Sequence, residues 1–268
     1  MKKQFLCGIL ALTMTAALFT GCGKDGDKSG SKTFTVGFDA EYPPYGYMDD
    51  NGDYTGFDLE LAQAVCDLKG WKLKKQPIVW DNKDNELNSG SIDCIWNGFT
   101  MNGREDSYTW SDAYVDNSQV IVTKKSADIT KLTDLKGKVV GVQAASAALD
   151  VLESSEDGGQ KALADTFKTL QEFADYNSAF VELQAGAVDA IAMDIGVAKY
   201  QIEKRDNGDD YEILDEHLNS EKYAIGFKKG NDSLCKEVNE ALHTLKKNGT
   251  FDKLAEKYEL SDMVCLKN

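Results

Sequence analysis

Apolar and polar positions alternate along Thr33–Phe38, where β-branched and phenylalanine residues favour a strand. The period then lengthens. Leu61, Ala64, Val65 and Leu68 recur at helical spacing within Phe57–Lys69, Asp58 suits the positive end of that helix's dipole, and Gly70 supplies a stop. Between the two, Tyr42-Pro43-Pro44-Tyr45 excludes a regular helix, because each proline lacks a donor and restrains its predecessor. Asn51-Gly52 reads as a hairpin-type turn. The alternation continues with strands expected at Leu73–Val79, Ile92–Trp96, Gln119–Thr123, Lys138–Val142, Ala190–Met193 and Tyr223–Phe227. Helices are expected at Asp84–Asn88, Ala144–Leu152, Ser178–Gly186, Ile195–Glu203, Ser233–Asn248 and Phe251–Tyr258, with a helical turn at Lys131–Leu135. Leu163–Glu172 carries both signals. Strands alternating with helices predict an α/β protein with mostly parallel sheets covered on both faces.

One unit occurs twice. Leu87–Ile95 and Leu183–Ile191 both read L-x-x-G-x-[IV]-D-[small]-I, a helix end, a glycine stop and a buried strand. Two copies so far apart predict two similar α/β halves rather than a solenoid.

The first residues differ from the rest. A basic start, Met1-Lys2-Lys3, leads into an apolar run, Phe5 to Phe19, that closes on Thr20-Gly21-Cys22. This reads as a secretory signal, residues 1–21, with Cys22 placed as the lipid-acceptor residue of a bacterial lipoprotein, although Phe19 stands where such signals usually carry leucine. A membrane-spanning helix is the alternative. Gly8, Thr13 and Thr15 interrupt it, and it is short for a hydrocarbon layer of about 30 Å. Residues 22–32, rich in Gly, Ser, Lys and Asp, form an expected flexible spacer. About 247 residues remain after the signal, enough for one large domain or two small ones.

The formal charge is −15, and losing Lys2 and Lys3 makes it more negative still. Nucleic acid and anionic lipid both require positive patches, so neither is an expected partner. Cys66, Cys94, Cys235 and Cys265 lie beyond the anchor. No CxxC or Cys/His spacing suggests a metal, and no cofactor is expected. A Cys235–Cys265 bridge would pin the chain end, whereas Cys66 and Cys94 read as buried small apolar residues.

The segments VGFDAEYPPYGYMDDNGDYTGFDLELAQAV, SGSIDCIWNGFT, TWSDAYVDNSQVIV, DLKGKVVGVQ, AGAVDAIAMD and YAIGFKKGN, with Arg104 between the second and third, occur in this order from about Thr33 to Tyr258. Together they resemble the polar amino-acid substrate-binding proteins of bacterial ABC importers. The resemblance implies an α/β, two-lobe periplasmic-binding-protein-like fold (type II), with the ligand cleft between lobes joined by two crossover strands. Lobe 1 would comprise residues 33–122 and 224–268, and lobe 2 residues 126–220. The crossings would lie near Thr123–Ser126 and Glu221–Ala224. Independently, ligands of open α/β sheets bind beyond the carboxyl ends of the strands.

A free α-amino acid carries a carboxylate and an ammonium, so its binder needs a fixed cation and a fixed anion. A guanidinium meets a carboxylate with two parallel hydrogen bonds. The resemblance gives that part to Arg104, although Thr100 and Arg104 are one residue closer than is usual in the family; the alternative is a surface arginine. Asp194 matches the family's ammonium acceptor, with a helix N-cap as the alternative. Gly98 and Thr100 would add a carbonyl and a hydroxyl. Backbone N–H groups from Ala145 to Ala147 would open a helix and favour an anion there, with Ala145-Ser146 standing where family members often have Gly-Thr and Ser146 still able to donate. Asp39, Tyr42, Trp80 and Asn97 match positions around the ligand side chain. Tyr42 and Trp80 could sandwich it, and Asp39 could hold a cationic or amide tip. Gln143 is either a cleft residue or a solvated one; Glu41 and Trp96 are expected to face away or pack.

The expected function is extracytoplasmic capture of a polar amino acid by a lipid-anchored monomer and its delivery to an ABC permease. An amino-acid-sensing subunit would share the same cleft. A dehydratase-like enzyme would need a general acid or base there, and His217 and His243 fall in none of the ligand motifs.

Overall fold

The computed structural model describes residues 31–267. The expected signal, the Cys22 anchor and residues 22–30 of the spacer lie outside the described residues. The strands are β1 (Thr33–Phe38), β2 (Glu41–Tyr42), β3 (Gly46–Met48), β4 (Tyr54–Thr55), β5 (Lys72–Pro77), β6 (Cys94–Ile95), β7 (Tyr108–Trp110), β8 (Val115–Lys124), β9 (Val139–Gln143), β10 (Thr169–Phe173), β11 (Ala190–Asp194), β12 (Tyr211–Ile213), β13 (Asn219–Tyr223) and β14 (Gly226–Lys228). The helices are α1 (Phe57–Lys69), α2 (Lys83–Ser89), α3 (Ala147–Glu153), α4 (Lys161–Ala164), α5 (Tyr176–Ala185), α6 (Ile195–Glu203), α7 (Asp232–Lys247) and α8 (Thr250–Lys257).

Two sheets organise the molecule. The first has the order β5-β1-β6-β14-β7, and the second β10-β9-β11-β8-β12 with β13 also paired to β8. β1 runs parallel to β5 and β6, and β9 runs parallel to β10 and β11. A small antiparallel sheet, β2-β3-β4, stands apart.

The repeated sequence unit has a physical basis. Gly90 and Gly186 both end their helices in the left-handed region, which glycine enters without a Cβ clash. The aspartates that follow then act alike. Asp93 accepts from the Thr35 N–H at 2.7 Å while its own N–H reaches Thr35 O. Asp189 accepts from the Val139 N–H at 2.8 Å while its own N–H reaches Val139 O. Each aspartate thus locks its returning strand beside an earlier parallel strand.

The chain leaves the first sheet after Trp110, and all of Val115–Lys124 belongs to the second, where Thr123 pairs with Ala190 and Lys124 with Tyr211. The first passage therefore precedes the expected Thr123–Ser126, because those residues are committed to ladders inside the second sheet. The return passage is Ala224-Ile225. The expected strand Tyr223–Phe227 is two strands broken there, since one strand cannot serve two sheets. The expected strand Ile92–Trp96 narrows to β6, and the expected helix from Ala144 begins only at Ala147. Cys235 and Cys265 are both free thiols, so the bridge between them is not formed; Cys235 Sγ instead donates to Trp110 O.

α1 buries Leu61, Ala62, Val65 and Cys66 and leaves Leu68 half exposed, so its inward stripe is rotated from the expected one. The start of this helix is tightly built. Phe57 N–H donates to Pro44 O and Asp58 N–H to Tyr45 O. The fully buried Asp58 carboxylate accepts from Gly98 N–H at 2.5 Å and from the Tyr114 hydroxyl at 2.9 Å. Burial pushes its carboxyl up to about 7, against the lowering effect of those two bonds.

This helix start generates two expectations. Gly56 has φ +129°, and a Cβ would lie 2.3 Å from Tyr45 O, whereas Gly52 has a positive φ with open space around it. Gly56→Ala should cost about 3 kcal/mol or more, lowering the melting temperature by roughly 6–12 °C, and Gly52→Ala only about 1 kcal/mol. Calorimetric melting of both variants checks this. Asp58, raised above the unfolded carboxyl value, binds more protons folded than unfolded between about pH 4 and 7. Its contribution is fully present below pH 4 and is lost as pH rises through 7. Asp58→Asn should make the decline in stability across that window shallower, by a few kcal/mol, as measured by urea melts at a series of pH values.

Candidate ligand-binding site

The carboxyl-terminal ends of the two sheets face each other, and many polar bridges join them. Gln143, at the end of β9, donates to Asp39 Oδ2 at 2.8 Å. Trp80 Nε1 and Lys83 Nζ both donate to Ala145 O at 3.2 Å. Arg104 donates to Asp150 Oδ2 at 2.6 Å, and Asn177 donates to Glu41. Tyr42 and Tyr223 bring their hydroxyls to 3.4 Å. A cavity of about 740 Å³ opens between Asn102-Gly103 and α3 and reaches Glu221.

Strand register builds the centre of the site. Asp194 pairs with Gln119 across β11 and β8, and Glu221 pairs with Asn117 across β13 and β8. Residues 117 and 119 share a face because strand side chains repeat every two positions. Asn117 Nδ2 donates to Asp194 Oδ1 at 2.7 Å and to Glu221 Oε1 at 2.8 Å; Gln119 Nε2 makes the same pair of bonds at the same distances. Tyr223 adds a hydroxyl bond to Asp194, and Thr100 Oγ1 donates to Glu221 at 2.7 Å. Asp194 is 2 % exposed and Glu221 4 %. Asp194 does occupy the N-cap position of α6, but its side chain makes no cap bond, so its carboxylate is directed to the site instead.

Tyrosines line the adjoining space. Tyr42 lies 5.9 Å from Tyr45 and 6.1 Å from Tyr176, and Tyr45 packs edge-on to Tyr223 at 5.2 Å between centroids. Tyr45 extends from the first half to α6, since a Cβ on Gly196 would lie 2.6 Å from its hydroxyl oxygen. Several buried polar atoms in this region have no partner: both amide atoms of Asn97, the hydroxyls of Tyr45 and Tyr176, Asn117 Oδ1 and Gln119 Oε1. Each costs free energy unless a guest or water satisfies it.

The remaining expected residues are placed as follows. Arg104 is 14 % exposed in its side chain and lies 5.3 Å from the Phe99 ring, so it is not a free surface arginine. Gly98 has φ +56°, and its N–H is held by Asp58. Ser146 caps α3 by accepting from Leu149 N–H at 3.2 Å, and Ala147 is buried in the first turn. Burial raises the Asp39 carboxyl, and bonds from Glu41 N–H and Gln143 oppose the rise. Trp80 is half-buried, edge-on to Phe99 at 5.5 Å, and bridges to Ala145 rather than standing free to stack. Gln143 is a cleft residue, not a solvated one. Trp96 packs fully buried, and Glu41 is exposed.

Sequence reasoning missed Asn117, Gln119, Glu221, Tyr45, Tyr176, Asp150 and Lys83. The signal available for the first two was a pair of polar residues at i and i+2 at the start of a strand otherwise bound for the core. Among the described residues no cluster of three or more His, Cys, Asp or Glu is arranged to hold a metal ion, and no helix is long and apolar enough to cross a membrane.

Residues 34–261 match the family of bacterial extracellular solute-binding proteins, family 3. The arginine-binding extracellular protein ArtP of Bacillus subtilis (strain 168) is 30% identical over 259 residues, 96% of this chain and 98% of that protein. The L-cystine-binding protein TcyJ of Escherichia coli (strain K12) is 28% identical over 97% of both chains. The crystal structure of an ABC uptake transporter substrate binding protein from Streptococcus pneumoniae with bound histidine superposes with a TM-score of 0.81 at 34% identity, covering 87% of this chain and 95% of that one. With two facing sheets, a polar cleft between them and a family match over nearly all the described residues, this chain belongs to the bacterial extracellular solute-binding proteins, family 3.

Proposed function

We propose that the protein captures a free polar L-amino acid outside the cytoplasm and delivers it to the permease of an ABC importer. The observation that carries this reading is the buried Asp194 carboxylate, surrounded by neutral donors only and set among polar atoms without partners. Such a place favours a guest that brings its own cation and its own hydrogen-bonding groups. In this reading Asp194 takes the ammonium. Arg104 takes the carboxylate and exchanges part of its bond to Asp150 for it. Gly98, Thr100, Ser146 and Ala147 complete the head-group contacts. Asp39, Tyr42, Trp80 and Asn97 border the side chain, and the Asp39 carboxylate with the unpartnered Asn97 amide suits a cationic or amide tip. The arginine, cystine and histidine in the names of the relatives support an amino acid as the guest.

We place the lobes by the sheets, with residues 33–110 and 226–267 in one and residues 115–223 in the other. Closure of one on the other buries the ligand and presents a shape the permease can read. The proposed role is binding rather than catalysis. His243 pairs with Asp112 on an exposed face, and His217 lies outside the cleft contacts described above. Cys22 is proposed as a lipid anchor.

A thermal-shift screen over the twenty amino acids tests the reading. At a hundredfold excess over Kd, a ligand should raise the melting temperature by roughly 5–10 °C. No shift with any amino acid would reject it. Arg104→Ala and Asp194→Ala should each weaken calorimetric affinity by about 2–5 kcal/mol, since each leaves a charge unpaired in a closed cleft; affinities equal to wild type would overturn the head-group roles. Cys22→Ser should move the protein from the membrane fraction to the soluble fraction of expressing cells.

A further inference from the structure

The Asp194–Glu221 pair has more negative charge than one ammonium acceptor needs. Both carboxylates are buried, and both draw on the same two amide nitrogens. Those amides spend all four of their N–H bonds on them, at 2.7 and 2.8 Å. Neutral hydroxyls from Thr100 and Tyr223 supply the remaining donors. Among the described residues neither carboxylate forms an ion pair.

The surroundings do not change that balance. Behind Glu221 a cavity of about 440 Å³ is bordered by Lys199, Lys222, Asp116 and Asp262, where Lys222 is already paired with Asp116. In front, the larger cavity adds Asp150, Glu156 and Asp157, and the Arg104 guanidinium on that side is already paired with Asp150. The phenols of Tyr42, Tyr45, Tyr176 and Tyr223 face the pair from the other side, and burial raises all four well above their usual value, so they stay neutral. Two ionised carboxylates this close, desolvated and without a cation, repel each other strongly. A single proton on Glu221 removes most of that repulsion.

We propose that Glu221 holds one proton in the empty cleft, beside Asp194, and releases it to solvent when the ligand's ammonium arrives, so that amino-acid capture is coupled to proton release. Glu221 is then a specificity-determining residue. It makes the head-group subsite an exchanger of a proton for a cationic amine, and it disfavours guests whose amine is acylated or absent. Burial, with the Asp194 charge second, places the Glu221 carboxyl up at about 7, in keeping with this exchange. The sign follows from linkage. Below about pH 7 Glu221 must lose its proton before the ammonium can enter, so affinity rises with pH up to that point and then levels.

This inference rests on the amino-acid-binding reading for its second half only, and the test separates the two. In ligand-free protein carrying ¹³C-labelled glutamate, the Glu221 Cδ resonance, assigned by its loss in Glu221→Gln, should titrate near pH 7. Titration below pH 5 overturns the proton on Glu221, whatever binds. Calorimetry then uses the amino acid with the largest thermal shift among those whose side chains do not titrate between pH 5.5 and 8, starting with L-arginine and L-glutamine. Wild-type Kd should be roughly 30-fold weaker at pH 5.5 than at pH 8, with close to one proton released at the lower pH by comparison of buffers of different ionisation enthalpy. Glu221→Gln, checked for folding by its melting temperature, should bind with less than about threefold change across that range and release no proton. An unchanged pH slope in the variant overturns the coupling. Absence of binding by every amino acid at pH 8 would instead reject the transport reading, while the carbon titration would still decide where the proton resides.

Discussion

An antiparallel register sets Asp194 opposite Gln119 and Glu221 opposite Asn117, and two side-chain amides hold both acids in place. A slip of one residue in β8 would turn Asn117 and Gln119 to the other face of the sheet and strand two buried carboxylates. The register is itself fixed by burial, since Val120 and Val122 pack on one face of the same strand while Ile121 packs on the other. Packing far from the cleft therefore dictates the chemistry within it.

A second set of interactions governs how the two halves meet. Ala145 has φ +54°, a conformation that costs a non-glycine residue about 1 kcal/mol or more. Its carbonyl receives both the Trp80 indole and the Lys83 ammonium from the opposite half. Lys83 is buried, and desolvation, with the nearby Arg104 charge second, pulls its ammonium down from its ordinary value. The strained backbone and the desolvated cation have a common outcome: one carbonyl aimed across the cleft.

Much of the scaffold was legible in the sequence, and the reasons are local. Phe57–Lys69 ends at its expected glycine stop, Gly70, and Ile195–Glu203 has the expected bounds. The two L-x-x-G-x-[IV]-D units reveal two halves because a helix stop and an aspartate latch act within a few residues. The passage between sheets precedes the expected position because nothing in the pattern of β8, polar at 116–119 and apolar at 120–122, marks which sheet it serves. The resemblance brought Asp194 and Arg104 to the cleft, but their partners were hidden. Glu221 stands in the expected second crossing with no motif to mark it, and only the pairing of β13 with β8 brings it beside Asp194. Tyr45 and Tyr176 are fully buried, yet their hydroxyls are left without partners. Long-range pairing decides all these cases, and it leaves no local periodicity to read.

The break between β13 and β14 bears on how the molecule is assembled. Ser111 N–H donates to Ile225 O at 3.1 Å, and Ile225 N–H donates to Ser111 Oγ at 2.9 Å. The whole second sheet is thus an excursion of the chain whose two ends meet at one point. A segment with adjoining ends can be lifted out and replaced without rerouting the host around it. The architecture is accordingly suited to chimeras in which one half is exchanged between related proteins while the other is retained, by recombination rather than by rebuilding residue by residue.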